Sequence, residues 1–203
     1  MDRIEPRVHQ KNVAAQVCAC AFTDYPMITS YWPDRGRRAR HLEWYWACAV
    51  KYGLRYGEAY TTSDVAGISV WLPPGQTHIT TWRYVRAGYL PLPLKMGVKQ
   101  FFTQTMKGDK LVHQVHEEII SGPHWYLFII AVDPDRQGRG IGTMLMQPGL
   151  EKADTQGLPC YVETHDERNV PFYLKHGFDL VRIELVPGSD LRFWCFLREP
   201  SKQ

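Results

Sequence analysis

The sequence predicts a mixed α/β (α+β) fold in one domain, and three patterns predict it. The aromatic and β-branched run Trp125-Tyr126-Leu127-Phe128-Ile129-Ile130-Ala131-Val132 reads as a buried strand. It stops at a loop with three closely spaced glycines, Gly138, Gly140 and Gly142, after which Ile141, Met144, Leu145, Pro148, Leu150 and Ala153 recur at mostly helical spacing. Ahead of this unit, a helix pair is followed by two short strand-like runs joined by a turn, the order of a helical layer laid on a hairpin. With 203 residues, 44% hydrophobic and 22% charged, the chain can bury one good core, so a single domain over 1–203 is expected.

In chain order, Ile4 to Arg7 is a candidate first strand, and Asn12 stands as an N-cap before a helix striped by Val13, Ala14, Val17, Cys18 and Ala21. That helix ends near Asp24-Tyr25-Pro26, because proline disfavours helical geometry in the residue before it. Arg38 to Tyr52 forms a second helix, closed at Gly53. Gly57 to Thr62 and Val65 to Leu72 form a hairpin turning through Ser63-Asp64 and stopped by Pro73-Pro74-Gly75. From His78 to Ser121 the pattern is helical, with breaks at Pro91, Pro93 and Gly108, and rich in Trp82, Tyr84, Tyr89, Phe101 and Phe102. This stretch reads as an added helical layer packed by its aromatics, or as a lid. After the glycine loop and its helix come a strand at Cys160 to Thr164, a short helix at Val170 to His176, and a strand pair at Phe178 to Val186 and Arg192 to Leu197, turning through Pro187-Gly188-Ser189-Asp190.

The glycine loop is an anion site by construction. Residues without Cβ atoms let a ligand approach the backbone, and the unpaired N–H groups of a helix's first turn point at it, as phosphate or pyrophosphate requires. A Walker A loop is excluded, since Gly142 is followed by Thr143-Met144 and no lysine lies in the turn. A dinucleotide fingerprint beginning at Gly138 fits Gly140 but meets Thr143 at its third glycine, although Glu163 lies where a ribose-binding acid belongs. An oxidoreductase of that type stays open as an alternative.

The spacing that fits is Gln137-x-x-Gly140-x-Gly142, after a strand ending Val132-x-Pro134. Here the chain resembles the GNAT superfamily of N-acetyltransferases, whose acyl-CoA loop reads Gln/Arg-x-x-Gly-x-Gly/Ala. A second match follows in Glu163-Thr164 and then Asn169, Tyr173 and Gly177-Phe178, similar to that family's Asn-to-Gly-Phe segment. His124 to Glu199 as a whole is similar to the puromycin N-acetyltransferase group, which Ala21-Phe22-Thr23-Asp24-Tyr25-Pro26 also resembles. The resemblance implies a mixed, mainly antiparallel central sheet flanked by helices, with 78–121 as an extra helical stretch. It also implies transfer of an acetyl group from acetyl-CoA to a primary amine.

On that resemblance the loop from Gln137 through Gly138, Arg139, Gly140, Ile141 and Gly142 to Thr143 holds the pyrophosphate, with Arg136 adding charge at the rim. Backbone groups of Ile130, Ala131 and Val132 pair with the peptide-like pantetheine arm, as an added strand pairs with an open edge. Asn169 hydrogen-bonds the cofactor or caps the short helix. Glu163 is the first candidate base for the amine, and Tyr173 protonates the departing thiolate. Asp24, Tyr25, Trp32 and the stretch from Trp82 to Tyr89 are candidates for the acceptor wall. A silent acyl-CoA binding or sensing module is the other alternative; the presence of Tyr173 leans against it.

Charge and cysteine content exclude other classes. A balance of 24 basic and 21 acidic residues gives +3, too little to argue for nucleic acid. The cluster Arg35-Gly36-Arg37-Arg38-Ala39-Arg40 reads as a solvated helix start. No run approaches the ~18 apolar residues of a membrane span, and the N-terminus has no apolar signal core. A cytoplasmic monomer or homodimer acting on a small-molecule amine is therefore expected. Cys18, Cys20, Cys48, Cys160 and Cys195 form no CxxC pair and read as small buried hydrophobes. His113 and His116 share a helix face without a third ligand at convincing spacing, so no metal is expected.

Overall fold

The computed structural model describes residues 2–3 and 8–201. Among them, seven strands form one sheet in the order β1-β2-β3-β4-β5-β7-β6. These are β1 (Asp2–Arg3), β2 (Glu58–Thr61), β3 (Gly67–Leu72), β4 (Trp125–Val132), β5 (Cys160–Thr164), β6 (Asp179–Leu185) and β7 (Arg192–Arg198). Neighbours run antiparallel except β4 and β5. A mostly antiparallel sheet does not supply the repeated parallel βαβ units of a dinucleotide fold. The expected strand at Ile4 to Arg7 lies outside the described residues.

The helices are α1 (Val8–Ala21), α2 (Pro26–Tyr31), α3 (Arg35–Tyr56), α4 (Thr81–Ala87), α5 (Leu92–Met96), α6 (Val98–Gln100), α7 (Met106–Ile119), α8 (Ile141–Gln156) and α9 (Val170–Lys175), with a π-helical turn at Phe101–Thr105 between α6 and α7. Alternation along the strands sorts the core into two faces. Ile68, Val70, Leu72 and Tyr161 pack with residues of α1, α3 and α7, while Tyr60, Trp71, Leu127, Val162 and Phe196 pack with Met146 and Ala153 of α8 and Tyr173 of α9.

Several boundaries differ from expectation, each for a physical reason. The first helix begins at Val8, so Asn12 is inside it and not its cap. Pro26 opens a new helix instead of only ending the old one, because the N1 position suits proline's fixed φ and missing N–H. The second long helix starts at Arg35, where the Asp34 carboxylate accepts from the Arg37 amide at 2.7 Å, and it runs past Gly53 to Tyr56. Gly53 is there for close approach: a Cβ would lie 2.4 Å from Val70 Cγ1 of β3. In the basic cluster Arg38 is buried, donating to the Trp32 carbonyl at 3.2 Å and to Asp24 at 2.9 Å, while Arg35 and Arg37 are exposed. Cys20 is exposed, unlike the other four cysteines, and all five are free thiols. No described helix is long and apolar enough to cross a membrane.

Two irregularities in β4 prepare the site. Val70 pairs with Ile129 and Trp71 with Leu127, so Phe128 is an extra, bulged residue. A bulge re-aims side chains, and here Phe128 and Ile129 both turn to the α1/α3 face. On its other edge β4 pairs with β5 only at Trp125↔Cys160 and Tyr126↔Tyr161. Beyond Tyr126 the two strands part, leaving the β5-facing edge of Leu127 to Val132 without a strand partner.

Candidate active site

The parting of β4 from β5 opens into a cavity of about 1460 Å³. Its walls include Ile130, Ala131 and Val132 of β4, Gln137, Gly138, Gly140, Ile141, Gly142 and Thr143 of the loop, and Asn169, Glu163 and Tyr173. Arg139 is the loop residue off the cavity; it is exposed, and its Nη2 donates to the Asp135 carbonyl at 3.4 Å.

Gly138 and Gly140 have φ of 76° and 79°, a left-handed backbone that favours glycine, and a Cβ on either would meet no atom within 4 Å. The space in front of them is therefore open to a ligand. No side chain caps α8, so its first N–H groups face that space as free donors. The Gln137 side chain donates to the Val132 carbonyl at 3.1 Å, fastening the loop to the end of β4. Arg136 is committed to Asp64 of the β2–β3 turn at 2.8 Å. Thr143 Oγ1 lies 3.0 Å from His176 Nε2, and a Cβ on Gly142 would lie 3.2 Å from the Phe172 ring, so Gly142 serves the packing of α9 as well as the loop. A row of free amides, an open cradle and an unpaired strand edge suit a phosphate-bearing ligand with a peptide-like arm, as acetyl-CoA is.

Glu163 shares the α1/α3 face of β5 with Tyr161. Its Oε1 accepts from the Tyr126 hydroxyl, and its Oε2 is buried without a partner. Burial pushes the carboxyl up to about 7, against the opposing pull of the Tyr126 and Tyr161 phenols. Tyr173 comes from α9 on the opposite face, ringed by Phe172, Phe178 and Phe196. Burial raises its pKa well above the ordinary phenol value, with Tyr25 and Glu163 adding to the rise, so it holds its proton. The carboxyl and the phenol, remote in sequence logic and on opposite faces, look into one cavity.

Asn169 sits at the N-cap of α9 but caps nothing with its side chain, which donates to Thr164 Oγ1 at 3.0 Å. Thr164 in turn contacts the Tyr25 hydroxyl at 3.1 Å, which accepts from the His165 amide at 2.6 Å. Of the suggested acceptor wall, Asp24, Tyr25, Tyr84, Val85 and Tyr89 line the cavity, whereas Trp32 and Trp82 do not; Trp82 is 65% exposed. Sequence reading missed Tyr126, Tyr31 and Asp109, because nothing local marks a strand tyrosine or a helix aspartate as facing a cavity. Of His113 and His116, the latter's Nε2 lies 2.8 Å from His124 Nε2, and its ring stacks on Tyr161 at 3.9 Å.

Residues 100–178 match the acetyltransferase (GNAT) family. An uncharacterised N-acetyltransferase of Schizosaccharomyces pombe is 29% identical over 128 residues, 60% of this chain and 51% of that protein. A mycothiol acetyltransferase of Propionibacterium freudenreichii is 30% identical over 86 residues, 40% of this chain and 28% of that protein. The match thus spans about half of the first relative's length and under a third of the second's. Among solved structures, histone acetyltransferase HPA2 and related acetyltransferase from Corynebacterium glutamicum superposes with a TM-score of 0.64 at 16% identity, covering 100% of this chain and 99% of that one. The ribosomal-protein-S18-alanine N-acetyltransferase of Escherichia coli gives 0.53 at 12% identity, covering 100% and 95%. The matched segment carries the loop, Glu163 and Tyr173, and the fold around it is the one that GNAT acetyltransferases share.

Proposed function

We propose that this chain is an acetyl-CoA-dependent N-acetyltransferase that moves an acetyl group directly to a primary amine of a small molecule. The observation that carries the reading is that a shielded carboxyl raised to about 7 and a protonated phenol line one cavity together with an open glycine cradle. Acetyl-CoA, when bound, supplies a thioester at whose carbonyl carbon the amine nitrogen's lone pair forms the C–N bond while the C–S bond breaks and sulfur leaves with the bonding pair.

The chain's residues manage the protons. An amine arrives as an ammonium, and Glu163 takes the first proton to free the lone pair. The second N–H proton replaces the one that Tyr173 gives to the sulfur. The sum is one proton to Glu163, and from there to water, and one to the thiol. The loop amides and the free edge of Ile130 to Val132 hold the cofactor, with Asn169 and Thr143 at its flank. Similarity to puromycin N-acetyltransferase adds an aromatic, antibiotic-like acceptor to the proposal, in keeping with a tyrosine-rich wall. Five free thiols suit a reducing cytoplasm, where one domain acts as monomer or homodimer.

Tyr173→Phe tests the reading. With free CoA release as readout over a panel of amines, turnover should drop by about 10²- to 10⁴-fold, with acetyl-CoA affinity by calorimetry little altered. Full turnover in the variant would remove Tyr173 from the mechanism. Tight binding of NAD with none of acetyl-CoA would remove the acetyltransferase reading altogether.

A further inference from the structure

One half-buried acid in the cavity is not used by the acetyl-transfer reading. Asp109, in the first turn of α7, lines the wall contributed by the added helical stretch. Among the described residues its carboxylate accepts one hydrogen bond, from the Tyr31 hydroxyl at 3.1 Å, and no described lysine, arginine or histidine pairs with it. A carboxylate shielded from water without a cation is costly, and a ligand that brings a positive charge relieves that cost. Burial pushes its carboxyl up to about 6, the sign of an anion lacking a counter-charge.

The surroundings suit a cation rather than a neutral group. The phenols of Tyr31, Tyr45, Tyr84 and Tyr89 all feel the Asp109 charge. Tyr45 and Tyr89 stand 5.2 Å apart, as do Tyr84 and Tyr89, in edge-to-face array, and the hydroxyls of Tyr45 and Tyr84 have no partner among the described residues. Aromatic faces around a carboxylate form a cage for an ammonium or guanidinium. Tyr84, Asp109 and Glu163 line the same cavity, so the cage and the reacting end share one space.

We propose that Asp109 and the tyrosines around it bind a second cationic group on the acceptor, so that the preferred substrate class is a diamine or polyamine acetylated at its far end. The reacting end rests on the acetyl-transfer reading above; the cage does not. Charge at one end and a neutral nitrogen at the other fixes the chain's direction along the cavity, which a monoamine cannot do.

The test uses matched probes. Putrescine, cadaverine and hexamethylenediamine are compared with butylamine, pentylamine and hexylamine by free CoA release, and hexyltrimethylammonium, which cannot be acetylated, is titrated by calorimetry. In the wild type the best diamine should exceed its monoamine in kcat/KM by at least about tenfold, mainly through KM. In Asp109→Asn that ratio should collapse toward unity, hexyltrimethylammonium affinity should fall by a similar factor, and Asp109→Glu should restore part of both. Equal use of the paired amines by the wild type, or cation affinity unmoved by Asp109→Asn in a cooperatively melting protein, would overturn the proposal. Asp109-dependent cation binding with no CoA release from any amine would instead sink the acetyl-transfer reading and leave the cage standing. If Asp109→Asn does not fold, the wild-type diamine preference and cation titration decide the matter alone.

Discussion

Burial and hydrogen bonding pull the Glu163 carboxyl in opposite directions, and burial wins. An acid that titrates near 7 is half ionised at neutral pH and strong enough as a base to take a proton from an ammonium in reach, which an ordinary surface glutamate is not. The kcat/KM profile should therefore rise with pH through a limb near 7, and Glu163→Gln should lose that limb and about 10²- to 10³-fold in rate. A variant that keeps the limb would show that another group is the base. Tyr173 stands out in the sequence as a candidate through the resemblance of its place before Gly177-Phe178, and Glu163 through its strand next to the loop. Asp109 was not, because its meaning comes from four tyrosines contributed by α2, α3 and the segment around α4, and no spacing along one element encodes a meeting of three.

Among elements, β4 to α9 were read with boundaries close to the observed ones, since a continuous apolar strand, a glycine loop and a helix carry independent local signals. The N-terminal half was read less well where one residue type has two uses. Pro26 ends one helix and begins another, and Gly53 looks like a helix stop but is a contact surface with β3. Gly53→Ala decides between those uses. As a helix interior the site gains about 1 kcal/mol of propensity from alanine, whereas the 2.4 Å approach to the buried, stiff Val70 costs more, typically 1–3 kcal/mol with further loss if β3 shifts. A net drop in melting midpoint of a few degrees is expected at about 2–4 °C per kcal/mol, and a rise would show that the packing gives way freely. The same caution applies to Gly142, where an added side chain presses on Phe172 and so disturbs α9 and Tyr173 along with the loop.

Across the whole molecule, buried histidines set the acid limit of stability. Burial lowers His116 to about 3 and His165 to about 4, and lowers His124 as well. Below the unfolded value of 6.5 the unfolded chain binds these protons and the folded chain does not, so stability falls as pH drops from 6.5 toward 4. Glu163 and Asp109, raised to about 7 and about 6, work the other way over part of this range, but they are fewer. The melting midpoint should thus fall between pH 7 and pH 5, and a midpoint that rises on acidification would mean the two acids dominate. The two-residue ladder between β4 and β5 has a mechanical meaning at this scale. It leaves the sheet as two plates, β1 to β4 and β5 to β7, joined along a short seam, with Glu163 and Tyr173 on the side of the second plate and the glycine loop on the first. On the acetyl-transfer reading, a ligand arm laid into the gap would act as a splint, bridging the two plates where the sheet itself does not.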